Sequence, residues 1–415
     1  MAQVRELSDA LWSGAISTAE SHPFTAFAGL EEYRPGLAFV SSFANVVAAR
    51  TDEGLVLVDT GSFFTGEMIR MQLRAWSPDA VHTAVFTHGH IDHATGVGAF
   101  EAEDRPAGAA PMRVVAHRAV SARFERYKRT AGYNAAINAR QFRSAGFAWP
   151  TEYRAPDAVY DDRLDLDVGG VRFELHHARG ETDDHTWLYI PAHRAVCTGD
   201  LFIWAAPNCG NPQKVQRFAG DQAVALERMA ALDAEVMFPG HGPPIEGTER
   251  VREALTTTAA LLRHLHDETL ARMNEGASLD AILASVRAPG ELLDRPWLRP
   301  VYDEPEFVVR NVWRQYGGWW DGDASRLKPA RDEALALEVA ALAGGATTLA
   351  ARAAALSSNG EHALASHLVE WAARAAPDDA NITAARAEVY TRRAASETSL
   401  MAKGVYFDAA GAKPR

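Results

Sequence analysis

Cysteine is nearly absent from this 415-residue chain: Cys197 and Cys209 are the only two. Two thiols make no disulfide framework, and their separation lacks the close pairing of a zinc knuckle, so both read as ordinary thiols. Positive charge is also short. Forty-two Lys and Arg against 54 Asp and Glu leave a formal net charge of -12, which argues against nucleic acid, whose binders neutralise phosphates with Lys and Arg. Long apolar runs are missing too. Met1 to Ser13 has no basic start followed by an apolar core, and no later stretch approaches the ~20 apolar residues of a membrane span. A soluble, cytoplasmic protein with no membrane partner is predicted. No low-complexity linker divides the chain.

What is present begins with a hydrophobic content of 47 %, enough for a large core, over a length that suits two or three domains. The most informative segment is Thr87-His88-Gly89-His90-Ile91-Asp92-His93, straight after the apolar run Ala84-Val85-Phe86. Extended side chains at i and i+2 share a face, so His88 and His90 can address one ion, while Asp92 and His93 turn towards a second. Imidazole nitrogen and carboxylate oxygen suit Zn²⁺, with Fe²⁺ or Mn²⁺ as alternatives. A solvated histidine cluster is the rival reading, and the summed spacing is far more restrictive than a lone histidine.

Around this segment the pattern is α/β. Short apolar runs at Leu37–Val40, Ala44–Ala48 and Leu55–Val58 read as strands, the last two joined by a turn at Thr51-Asp52-Glu53-Gly54. Thr65 to Trp76 has helical spacing and Val81 to Phe86 forms the next strand, so the histidines lie beyond a strand end, where open sheets bind ligands. Further strands are predicted at Arg113–Ala116, Val171–His176, Thr186–Ile190, Ala195–Thr198 and Val236–Phe238. Ala119 to Arg143 reads as a helical insertion able to roof the site. After Gly247 the character changes: Val251 to Asn274 has helix period, and the rest is rich in Ala, Leu, Glu and Arg. Two domains follow, residues 1–248 and an all-α part at 249–415, with 329–415 a repeat-like helical subregion around Gly360–Ala365 and Ala376–Ala380.

More ligands are expected at later strand ends. Gly180-Glu181, Gly199-Asp200 and Gly240-His241 each place a metal-binding side chain after a glycine, where the backbone can turn sharply and approach closely. Asp200 is assigned as the carboxylate bridging two cations. His176, His177 and His185 are rivals to Glu181; the first two are adjacent, so at most one faces the metals. Asp59, in Val58-Asp59-Thr60-Gly61, matches an aspartic-protease signature, but no second Asp-Thr-Gly or Asp-Ser-Gly exists to share a proton. Asp59 is therefore read as a hydrogen-bonding support behind the metal loop. His117, His264 and His266 are read as structural.

The set His88-Gly-His90-Ile-Asp92-His93, with Asp59, Asp200 and Pro239-Gly240-His241-Gly242, resembles the metallo-β-lactamase fold. That resemblance implies an αββα sandwich with a two-metal hydrolytic centre held by His88, His90, Asp92, His93, Glu181, Asp200 and His241. Glu181 stands where most members have histidine, and this looks like the alkylsulfatases. The likeness continues through His266–Leu270, Pro296–Tyr302 and Trp313–Gly322, the last similar to the region through which those enzymes dimerise. The lipid-carrier-like domain that often completes the family is missing from this stretch of sequence.

The resemblance implies hydrolysis of an alkyl sulfate by a metal-activated hydroxide, with Asp92 and Asp200 as catalytic carboxylates, and a homodimer. In that family an asparagine and an arginine after the bridging carboxylate hold the sulfate. Asn208 matches the first, but Gln213 occupies the arginine position, so Lys214 or Arg217 is the candidate substitute. Tyr133, in the insertion, is a candidate substrate contact. Phe202, Ile203 and Trp204 either line an apolar channel or form core. Two other readings stay open: the same metals acting on a lactone, phosphodiester or β-lactam, and a scaffold with a vestigial site.

Overall fold

The computed structural model describes residues 4–25, 29–103, 110–144 and 146–411. Its strands are β1 Gly29–Arg34, β2 Leu37–Ser41, β3 Val46–Thr51, β4 Gly54–Val58, β5 Val81–Val85, β6 Arg113–His117 and β7 Ala158–Tyr160. The series continues with β8 Arg163–Val168, β9 Val171–His177, β10 Thr186–Ile190, β11 Ala195–Ile203, β12 Val236–His241 and β13 Ile245–Glu246. The helices are α1 Val4–Trp12, α2 Gly66–Trp76, α3 Ile91–Ala94, α4 Val97–Glu101, α5 Ala119–Arg129, α6 Ala131–Phe142, α7 Ala219–Ala230, α8 Thr248–Asn274 and α9 Leu279–Ser285. After them come α10 Gly290–Leu293, α11 Pro305–Gly317, α12 Ala324–Leu327, α13 Asp332–Leu342, α14 Ala346–Ser358, α15 His362–Ala375, α16 Ala380–Ser396 and α17 Leu400–Gly411.

Two sheets form the first compact unit, residues 1–131 and 150–319. One runs β1-β2-β3-β4-β5-β6-β7 and the other β13-β12-β11-β10-β9-β8. Alternation along a strand decides what each face meets. In β4, Val56 and Val58 join Phe39, Val85, Leu175, Leu188 and Phe238 between the sheets. Leu55 and Leu57 point the other way, onto Ile69 and Leu73 of α2 and Val120 and Phe124 of α5. The outer face of the second sheet packs Val196 and Met237 against Leu226 and Met229 of α7, Leu255 and Leu262 of α8, and Val308 of α11. This is the expected αββα sandwich, and strands β5, β11 and β12 end on the same side.

Four strands escaped the sequence reading: β1, β7, β8 and β13, each at the edge of a sheet. Edge strands are short or charged because they face solvent on one side, and β1 reads Gly-Leu-Glu-Glu-Tyr-Arg. The helical insertion expected over Ala119–Arg143 is two helices, α5 and α6. At Thr130 the backbone leaves helical geometry, and the threonine hydroxyl donates to the carbonyl of Arg126 at 2.9 Å, closing the turn locally.

The second unit comprises residues 132–149 and 320–415, and its described residues form helices joined by turns, with no strand among them. Helices α14 and α15 pair across the turn at Asn359-Gly360-Glu361, and α16 follows with the Asp379 side chain capping the amides of Asn381 and Ile382. Helix α8 packs along α7 and against β12 and β13, so its apolar face lies on the sandwich. The predicted outer ends at residues 1 and 415 lie outside the described residues. Among the described residues no single helix is long and apolar enough to cross a membrane.

Candidate metal centre

Strand ends bring the predicted donors together. His88 and His90 leave β5, Asp92 and His93 begin α3, Glu181 sits in the β9–β10 loop, Asp200 lies in β11 and His241 closes β12. Two groups result: His88, His90, Glu181 and Asp200 in one, Asp92, His93 and His241 in the other. Within each, one donor atom per residue lies within 4.8 Å of the rest. In the first group Glu181 Oε2 is 3.7 Å from His88 Nε2 and 3.6 Å from His90 Nδ1. Asp200 joins the two groups: Oδ1 is 3.3 Å from His93 Nε2, and Oδ2 is 3.2 Å from His241 Nε2 and 3.8 Å from His88 Nε2. Ligand atoms about 2.0–2.1 Å from a tetrahedral Zn²⁺ stand roughly 3.3 Å apart, so these spacings suit a shared pair of cations.

The outer nitrogens settle how the rings face. His93 Nδ1 lies 2.7 Å from Asp59 Oδ2, His88 Nδ1 lies 3.0 Å from Thr87 Oγ1, and His241 Nδ1 meets the carbonyl of Phe43. Each contact leaves Nε2 directed at the cluster, the arrangement by which a second hydrogen bond orients a metal-binding imidazole. Asp59 does more. Its carboxylate accepts from the Thr87 amide at 2.7 Å and the Thr87 hydroxyl at 2.8 Å, while its own φ is +62°. A non-glycine residue in that left-handed region is strained, and here three contacts hold it there.

Fit to a cation was tested on the buried polar atoms. Glu181 is 1 % exposed and its Oε2 has no hydrogen-bond partner, a costly state that a bound cation removes. Burial, with neighbouring imidazoles, pushes His88 well below its ordinary pKa, and burial with Arg123, Arg217 and Lys214 does so for His90; both stay neutral and ready to ligate. At His93 burial acts downward too, but the carboxylates of Asp200, Asp59 and Asp92 outweigh it and raise the pKa. That concentrated negative field is what two divalent cations would neutralise. Close approach is built in at two glycines: a Cβ on Gly240 would stand 2.0 Å from Asp200 Oδ1, and one on Gly199 2.5 Å from His185 Cε1.

Comparison with known proteins agrees with this geometry. Residues 40–241 match the Metallo-beta-lactamase superfamily, and residues 278–413 match Alkyl sulfatase dimerisation. The chain carries a metallo-β-lactamase domain followed by an alkylsulfatase dimerisation domain. It is 27 % identical over 352 residues to a linear primary-alkylsulfatase from Pseudomonas sp., covering 79 % of the chain and 66 % of that protein. An (R)-specific secondary-alkylsulfatase, also from Pseudomonas sp., is 29 % identical over 335 residues, covering 73 % and 50 %. The solved stereoselective inverting sec-alkylsulfatase Pisa1 from Pseudomonas sp. shares the fold, with a TM-score of 0.82 at 24 % identity over 92 % of this chain and 65 % of that one. The chain thus spans about half to two thirds of the length of these relatives.

The rivals to Glu181 are occupied elsewhere in this metallo-β-lactamase fold. His185 Nε2 accepts the Asp200 amide at 3.0 Å. His176 stacks on Trp187, and His177 stacks on His117 at 3.6 Å. Of the two readings of Phe202, Ile203 and Trp204, the structure has the core one: all are buried among apolar neighbours, and Trp204 Nε1 donates to the carbonyl of Pro243. Arg217 is buried and turned onto Glu181, donating to its carbonyl at 2.7 Å and meeting its carboxylate. Asn208 Nδ2 donates to Glu181 Oε1 at 3.0 Å. Lys214 is half-buried, and Tyr133 is exposed in the second unit. His266 pairs with Asp267 and Tyr316, as a structural histidine should.

Several supports were not foreseen. Asp184 Oδ2 accepts the Gly89 amide at 3.0 Å and Arg123 Nε at 2.8 Å, locking the turn between His88 and His90. Asn45 Nδ2 donates to the carbonyls of Pro239 and Gly242, bracketing His241. Only Asp183-Asp184 next to Glu181 signalled the first; nothing local signalled Asn45.

Proposed function

We propose that this chain is a dinuclear-metal hydrolase that releases sulfate from an organic sulfate ester, with zinc as its metal and a homodimer as its working form. The observation that carries the reading is the pair of donor groups joined through Asp200, with Glu181 in place of a histidine. His88, His90, Glu181 and Asp200 would hold one cation; Asp92, His93, His241 and Asp200 would hold the other. When bound, such a pair supplies Lewis acidity and lowers the pKa of water towards neutrality.

The protein's own groups supply the rest. Asp92, Glu181 and Asp200 bring three negative charges against the four positive charges of two divalent cations, which leaves a field suited to a monoanionic ester. Asp59 holds His93 and the metal loop in register. Lys214 faces Asp92 and Arg123 electrostatically, and it is the cation that we assign to the ester's sulfate, since Arg217 is engaged with Glu181. Asn208 Nδ2 carries a second N–H beyond the one given to Glu181, which makes it a second contact for the same oxyanion.

The test is a parallel assay of the zinc-loaded chain on a medium-chain alkyl sulfate, an acyl lactone and a chromogenic cephalosporin. Sulfate release from the first is expected, with elemental analysis near two zinc per chain. His90→Ala is expected to lose metal and turnover together. Turnover of the lactone or cephalosporin without sulfate release would sink the ester assignment, and one metal or none would sink the dinuclear centre.

A further inference from the structure

The loop between β11 and α7, residues 204–218, carries Asn208, Lys214 and Arg217, and it is fastened from α11. Asn311 on that helix is buried. Its Nδ2 donates to the carbonyl of Cys209 at 3.0 Å and to the carbonyl of Arg217 at 2.8 Å, so one amide ties together the two ends of the segment. Its Oδ1 accepts from the Arg217 amide at 3.4 Å and the Arg314 guanidinium at 3.0 Å. Asp303, just before α11, accepts the amide of Gly210 at 2.9 Å. There is no slack between loop and helix: a Cβ on Gly210 would stand 2.2 Å from the backbone of Phe307.

Contact then passes inward. Arg217 donates to the carbonyls of Glu181 and Asn208 and meets the Glu181 carboxylate, while Asn208 Nδ2 takes Glu181 Oε1. Both groups hold the Oε1 edge, which leaves Oε2 directed at His88 and His90.

We propose that Asn311 is a positioning residue for Glu181: it clamps residues 209–217 so that Arg217 and Asn208 aim Glu181 Oε2 into the first donor group. The proposal rests on Glu181 being a metal ligand, not on which ester is cleaved. It also means that a helix inside the region matching Alkyl sulfatase dimerisation shapes one half of the metal centre. An amide is required chemically, because two carbonyls need two N–H donors. Aspartate has the same size but offers those carbonyls an oxygen.

The experiment is zinc binding by chelator competition on the full chain. In Asn311→Asp one of the two zinc equivalents is expected to weaken, on the order of tenfold, as second-layer changes do. The weakened equivalent should be the one weakened in Glu181→Gln, with the other equal to wild type. Hydrogen exchange should quicken across residues 208–217 in the same variant. Arg310→Ala, which breaks only a surface pair with Glu306 on the same helix, should change neither readout. If Asn311→Asp does not fold, Asn311→Gln, which keeps the amide but displaces it by one methylene, is read the same way. The proposal is overturned if both equivalents keep wild-type affinity, if both weaken together, or if exchange rises over the whole chain. A wild type binding a single zinc overturns both this proposal and the dinuclear centre. A wild type that binds two zincs but leaves alkyl sulfates intact overturns the ester assignment alone.

Discussion

Lys214 is the cation proposed for the ester's sulfate, and Gln213 stands beside it in the loop after β11. Burial pushes the Lys214 ammonium down to about 8, helped by Arg123 and opposed by Asp92. The sign is definite: the group is charged below that value and neutral above it. If the ammonium holds the sulfate, KM for an alkyl sulfate stays low and flat up to about pH 8 and climbs above it, while kcat moves less. Lys214→Arg should push the climb beyond the assay range, because guanidinium keeps its proton. Lys214→Ala should raise KM about tenfold below pH 8 and converge with wild type above it, a charged hydrogen bond contributing about 1.5–3 kcal/mol. A KM that falls with rising pH, or a Lys214→Ala variant with wild-type KM, would remove Lys214 from the substrate site. Gln213→Arg offers the converse gain, restoring a cation where the related sulfatases are expected to have one.

Among the elements, α5 and the β9–β10 loop depend on one buried pair. Arg123 is 2 % exposed, and its partner Asp184 is fully buried. Burial alone would raise the Asp184 pKa, but Arg123 overcomes it and keeps the carboxylate ionised. Arg123→Met strands that charge and is expected to cost about 3–5 kcal/mol. Arg123→Met with Asp184→Asn should recover part of the loss. Urea midpoints on metal-stripped protein check this, and a shift below about 1 kcal/mol would show that the pair adds little. The same elements show what was readable in advance. Central strands such as β4 and β5 and the buried turns after them carry apolar runs and donor residues in close succession, so they announce both fold and chemistry. Edge strands β1, β7, β8 and β13 lack that signal, since one side faces water. Asp184, Asn45 and Asn311 act through contacts spanning 95, 194 and 102 residues respectively, and no local pattern can reveal such partners. Arg217 was one of two candidates for the sulfate, and the structure turns it onto Glu181; position along the loop does not tell the two apart.

At the scale of the whole molecule, every donor residue from His88 to His241 comes from the first compact unit. One chain therefore holds a complete donor set, and dimerisation is not needed to assemble it. The second unit presents a different feature. On α13, Ala336 and Ala340 are buried, whereas Leu335 and Leu342 are 46 % and 88 % exposed. Seven residues apart, these leucines lie on one face of the helix, and an exposed apolar stripe within a region matching Alkyl sulfatase dimerisation is what a second copy would cover. Wild-type protein is expected to sediment at twice the chain mass, and Leu335→Glu with Leu342→Glu at the chain mass. Because the donors lie elsewhere, the double variant should keep its two zincs and most of its kcat. A double variant that stays dimeric would move the interface off α13. One that becomes monomeric and also loses zinc would mean that the partner chain supports the site, against the completeness seen within a single chain.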